Sequence, residues 1–203
     1  MAGVPDWADG GVEAVRKRLQ AAGVSERKCR LFGAACCRAG QGYIKHAPCL
    51  DLLDLVEAWA DDPGRAPEVE RGRRAVGRWA KGIQDAVRSE RDFLTRWSVY
   101  CAAEAAVVPV NRWFLTPPRF RPLLRDVVGP DLPARPAPPG CRSADAVGVA
   151  RAIYEDRAFD RLPILADALR DAGCEDEAVL AHCRGKGPHV RGCWVVDLVL
   201  DRA

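Results

Sequence analysis

Apolar residues recur along this chain at intervals of three and four, the period of helices with one buried side. Val12, Val15 and Leu19 form the first such stripe, with Asp9 placed to cap it and Ala21-Ala22-Gly23 placed to end it. Ser25 caps a second helical segment whose stripe is Leu31/Phe32, Ala35, Cys36 and Tyr43, built of small residues suited to close helix contact. After Pro48 the residues Leu52, Leu55, Val56 and Trp59 make a strong amphipathic face, and Asp62-Pro63-Gly64 reads as a turn. From Pro67 to Val108 the pattern predicts one or two long helices, lined by Val76, Trp79, Ala80, Ile83 and Val87 and then by Phe93, Trp97, Cys101 and Ala105. Pro109, Pro117 and Pro118 break it, and a short helix is expected from Phe120 to Val128.

Gly129 to Gly140, GPDLPARPAPPG, reads as a stiff extended linker. Beyond it Ser143 is placed to cap a series of four short helices. Val149, Ile153 and Tyr154 mark the first. Leu162, Leu165, Ala168 and Leu169 mark the second, with Pro163 in its first turn and Gly173 just past its end. Val179, Leu180 and Cys183 mark the third, and the fourth is expected to start just after Pro188 and to carry Val190, Cys193, Trp194, Asp197 and Leu198. Helices this short are not stable alone, so they must pack on one another. No alternating stretch is long enough for a strand. The expected fold is all-α, an irregular helical bundle with a C-terminal module of four short helices. Its parts are an N-terminal helical region 1–128, a proline-rich linker 129–142 and the module 143–203.

Composition changes this picture little. The chain has 203 residues, 48% of them apolar and 29% charged, with a net charge of +3, which argues against a strong field for nucleic acid or a membrane surface. The arginine-rich runs RGRRAVGR and RSER are interleaved with acids and read as solvated helix faces. No apolar core opens the chain as in a signal peptide, and no apolar run approaches the ~20 residues of a membrane span, so a cytoplasmic location is expected. The nine cysteines, an odd number, then read as reduced thiols rather than as a disulfide framework.

Two segments carry a resemblance. Arg27-Lys28-Cys29-Arg30-Leu31-Phe32-Gly33-Ala34-Ala35-Cys36-Cys37-Arg38 and the run from Ala150 to Leu200, which includes RAIYEDRAFDRLPILADALRDAGC and LAHCRGKGPHVRGCWVVDLVL, resemble a planctomycete-type paralogous family of bacterial proteins. Ala152 to Leu169 is also similar in outline to a bacterial repeat-companion domain. Gly33 and Ala34 stand where that family has Ala-Cys, which weakens a metal reading of Cys36 and Cys37. The resemblance implies a fold and a lineage, and no reaction.

Candidate chemistry concentrates at the C-terminal end. Cys174, His182, Cys183, His189 and Cys193 are candidate ligands for a structural zinc ion, because Zn²⁺ takes four sulfur or nitrogen donors in a tetrahedron. On a helix starting near Pro188, His189 and Cys193 would be i and i+4 and share a face. His182 and Cys183 are adjacent, diverge by about 100°, and would not both join. The set contains no Cys-x-x-Cys knuckle, and the competing reading makes Cys183 and Cys193 small core residues and the histidines helix caps or partners of backbone carbonyls. Asp156, Arg157, Asp160, Arg161, Asp167 and Arg170 suggest an ion-pair network between the short helices, and Trp194 a core anchor. No phosphate loop, nucleophile elbow or catalytic order is present. The functional expectation is a non-enzymatic protein-interaction or scaffold module with an unidentified protein partner. The alternatives are a small metalloprotein with a structural zinc site and a nucleic-acid binder using the arginine-rich middle.

Overall fold

The computed structural model describes residues 12–39, 47–86, 117–130 and 136–202. Among them are nine α-helices and no strand: α1 Val12–Ala21, α2 Glu26–Ala39, α3 Ala47–Asp61, α4 Ala66–Ala86, α5 Pro117–Val128, α6 Ala144–Asp156, α7 Leu162–Asp171, α8 Glu177–Arg184 and α9 Trp194–Leu200. Short 3-10 turns, Pro63–Arg65 and Phe159–Arg161, lead into α4 and α7. The expected stripe from Phe93 to Ala105 lies outside the described residues, as does Tyr43.

Local chemistry sets the helix ends. Ser143 Oγ accepts the N–H of Ala146 at the start of α6, and Asp176 accepts those of Ala178 and Val179 at the start of α8. Pro117 and Pro118 occupy the first turn of α5, where a missing N–H costs nothing, so they begin this helix three residues before Phe120. Pro48 likewise sits in the first turn of α3.

The buried stripes assemble into two apolar cores. One collects Val15 and Leu19 of α1, Phe32, Ala35 and Cys36 of α2, Leu52 and Val56 of α3, Val76 of α4, and Phe120, Leu124 and Val127 of α5. The other collects Cys141, which precedes α6, Ile153 and Tyr154 of α6, Leu162, Leu165 and Leu169 of α7, Val179, Leu180 and Cys183 of α8, and Trp194 to Val196 of α9. Each large aliphatic side chain so buried contributes about 1.5–3 kcal/mol relative to exposure. The two cores meet where α9 lies against α5.

Polar clusters also cross this seam. Asp197, 2% exposed, accepts from Arg27 at 2.7 Å and pairs with Lys28. Tyr154 donates its hydroxyl proton to Asp61 and accepts from Arg27 Nη2 at 2.9 Å, while Arg191 bonds Asp61 at 2.8 Å. Arg157 reaches from the end of α6 to Asp54 and Glu57 of α3, and Asp167 pairs with Arg184. These arginines therefore tie α6 to α3 and α7 to α8, rather than pairing with the acids nearest to them in sequence.

One expected element is displaced. The last helix begins at Trp194, not just after Pro188, and residues 188–193 form an irregular connection. The Gly187–Pro188 peptide is cis, Gly187 and Gly192 have φ of +80° and +96°, and a Cβ on Gly192 would stand 3.0 Å from the Leu31 side chain. The segment passes close to α2 and gives its Val190 N–H to Asp126 of α5, and the positive φ of Gly187 and Gly192 lies outside the right-handed helical region.

Candidate metal centre

Three polar side chains of the last 25 residues converge with one from α5. Ligand-capable atoms of Asp126, His182, His189 and Cys193 all lie within 4.8 Å of one another. Asp126 comes from the last turn of α5, on the side that buries Leu123 and Val127. His182 sits in the last turn of α8, His189 on the irregular connection, and Cys193 at the position that caps α9. The i, i+4 relation expected of His189 and Cys193 is replaced by a turn in which Cys193 N–H donates to Val190 C=O at 2.9 Å.

The contacts are close. His189 Nδ1 lies 2.8 Å from Asp126 Oδ1, and His182 Nε2 lies 3.1 Å from the same oxygen and 3.2 Å from Cys193 Sγ. His189 Nε2 lies 3.1 Å from the carbonyl of Gly185, which can only accept, so Nε2 carries the proton. Nδ1 then faces the carboxylate either with a second proton or with a lone pair. Burial by itself would push His189 down, but Asp126 and the Gly185 carbonyl outweigh it and hold its pKa above 6.5. Burial would raise Asp126; the hydrogen bonds from His182 and His189, with the N–H of Val190, hold it below 3.8 instead. Burial and the charge of Asp126 push the Cys193 thiol well above its ordinary range, against a smaller opposing pull from the N–H groups of Val196 and Val195.

No protein family model, curated protein or solved structure matches this chain. What the cluster does must therefore be read from its own chemistry.

The surroundings hold the four groups rigidly. Lys28 Nζ donates to Val127 C=O at 2.8 Å and to Gly192 C=O at 2.7 Å, so one ammonium pins the neighbours of both Asp126 and Cys193. The Trp194 ring packs edge-on to His182 at 5.3 Å and covers Gly129, whose φ of +84° and missing Cβ leave room for it. Asp126 is 1% exposed and Cys193 is fully buried, while the side chains of His189 and His182 are 10% and 18% exposed.

This geometry differs from a Cys–His–Asp relay. A relay places the carboxylate on one ring nitrogen and the thiol on the other, whereas His182 turns the same Nε2 to both. As a metal centre the set is coherent. A carboxylate and a thiolate would balance a divalent ion, with two neutral imidazoles completing four donors. The bonds from His189 Nε2 to Gly185 and from Val190 N–H to Asp126 Oδ2 are the outer contacts that orient ligands.

Of the five candidates from the sequence, the structure brings His182, His189 and Cys193 together. Cys174 and Cys183 lie in the second core, with Cys174 Sγ 3.2 Å from Cys141 Sγ. Burial pushes the Cys183 thiol up to about 12. Cys36 and Cys37 are buried in the first core, and burial raises the Cys36 thiol far above its ordinary value. Asp126 is the residue that sequence reading passed over. Its signal was a carboxylate three residues after Leu123 and next to Val127, on a stripe that otherwise buries apolar groups.

Proposed function

We propose that this chain is a non-enzymatic protein module whose two halves are clasped by a structural zinc ion held by Asp126, His182, His189 and Cys193. The observation that carries this reading is the convergence of those four groups across the seam between the two cores. The donor set, one sulfur, two nitrogens and one oxygen, suits a borderline-soft ion better than magnesium or calcium, which take oxygen. Burial of the cluster and the absence of an open face on Cys193 support a structural role rather than a hydrolytic one. The two segments that resemble the planctomycete-type family, 27–38 and 150–200, supply Lys28, Gly192 and three of the four ligands, so the clasp joins the parts on which that resemblance rests.

Metal content of the purified chain, measured by inductively coupled plasma mass spectrometry, tests the proposal. About one zinc per chain is expected, retained in Cys174→Ser and Cys183→Ser and lost in Asp126→Ala and Cys193→Ser. Zinc retained in the last two variants, or no zinc after reconstitution of the folded chain, overturns it.

A further inference from the structure

The second core holds a pair of thiols that the metal reading does not use. Cys141 Sγ and Cys174 Sγ are 3.2 Å apart, roughly 1.1 Å more than a disulfide bond. Both residues are buried, at 0% and 2% exposure. The backbone, not the thiols, sets this approach. Gly140 has a φ of +79°, and a Cβ there would lie 2.4 Å from Ala172 C=O and 3.0 Å from Cys174 N, so only glycine lets the two strands of chain run this close. The backbone of each cysteine is also held by its own turn. Cys141 N–H donates to Pro138 C=O at 3.2 Å, and Cys174 N–H to Leu169 C=O at 2.9 Å beside Gly173, whose φ is +84°. Between the two cysteines lie α6 and α7 entire, so their sulfurs meet at the base of that helical hairpin.

We infer that Cys141 and Cys174 are an oxidisable pair, a cross-link site that closes the α6–α7 hairpin when a low-molecular-weight disulfide is present. The reaction is two exchanges. One cysteine thiolate attacks the small disulfide and releases one small thiol, leaving a mixed disulfide. The second cysteine thiolate then attacks that bond, forms Cys141–Cys174 and releases the second small thiol. The two cysteine sulfurs are oxidised, the small disulfide is reduced, and the two cysteine protons end on the released thiols. In the folded chain burial pushes the Cys141 thiol up to about 12, and both sulfurs are shielded from reagent. The link therefore forms during folding or local opening, and once formed it lies protected. The pair is separate from the metal ligands, and its test is independent of them.

The experiment refolds the full chain in a glutathione redox buffer with one equivalent of zinc. Free thiols are then alkylated, helicity is checked by circular dichroism, and the disulfides are mapped by peptide mass spectrometry. The expected product is a Cys141–Cys174 linkage, 2 Da lighter than the reduced pair and at least tenfold more abundant than any other pairing. The folded, linked protein should melt about 5–10 °C above the reduced one, a gain that Cys141→Ser and Cys174→Ser both abolish. Recovery of these two cysteines as free thiols or glutathione adducts in a helical product, or a Cys174–Cys183 linkage in their place, overturns the inference.

Discussion

Two of the polar clusters that bridge the halves of this molecule are built on opposite rules. Around Tyr154, carboxylates meet cations of fixed charge. Asp197 faces Arg27 and Lys28, Asp61 faces Arg27 and Arg191, and the guanidiniums of Arg191 and Arg202 stack 4.6 Å and 4.3 Å from the Tyr154 ring. The carboxylates of that cluster are paired by the protein's own cations. The His182 cluster, by contrast, consists of a carboxylate, two imidazoles and a thiol, all of which can offer lone pairs to one point. A proton on His189 satisfies part of that set; a divalent cation satisfies all of it. Ion pairs of the first kind need no guest, while a cluster of the second kind, once it held a metal, would make the strength of the seam depend on metal supply.

The largest expected effect separates the two clusters directly. Chelation of zinc from the purified chain should lower Tm by about 8–16 °C. This follows from ~4 kcal/mol of linkage at free zinc a thousandfold above Kd and ~2–4 °C per kcal/mol for a chain of this size. Scanning calorimetry with and without chelator measures it, and an unchanged Tm would show that the His182 cluster needs no guest.

Next comes Asp197→Asn, which strips the buried carboxylate from Arg27 and Lys28. Removing one partner of a fully buried pair costs about 3–5 kcal/mol. Arg27 is 13% exposed and keeps Asp61 and Tyr154, so ~2–3 kcal/mol is expected, read as a lower midpoint in urea with zinc binding intact. Loss of zinc along with stability would mean that the two clusters are one cooperative unit.

The smallest effect is a pH dependence. Partial burial would raise Asp61, but the hydrogen bond from Tyr154 and the charges of Arg27 and Arg191 hold it below its ordinary 3.8. A depressed carboxyl contributes stability that is present above 3.8 and lost as pH falls through its folded value. Asp61→Asn should thus destabilise the protein at neutral pH by about 1 kcal/mol and flatten the loss of stability on acidification below pH 4. Parallel curves for the two proteins would place the acid sensitivity elsewhere.

What the sequence revealed divides along a similar line. Stripes such as Leu52 with Val56, and Leu162 with Leu165 and Leu169, are legible because a helix encodes its buried side in local spacing, and Ser143 and Gly173 mark ends through contacts within a few residues. The start of the last helix was not legible, because residues 188–193 are shaped by Leu31 and Asp126, which stand far away in sequence. The same distance hid Asp126, 63 residues before His189. Three ligands could be proposed from residue type alone. The fourth, and the separation of Cys174 and Cys183 from the cluster, required the packing of α5 against α9.

X-ray absorption at the zinc edge of the reconstituted chain reads the proposed ligand set itself. The four proposed ligands should give one sulfur at about 2.3 Å and three nitrogen or oxygen donors at about 2.0–2.1 Å, the expected result. Two or more sulfurs in the first shell would bring Cys174 or Cys183 back as ligands and contradict it, as would a shell with no sulfur at all.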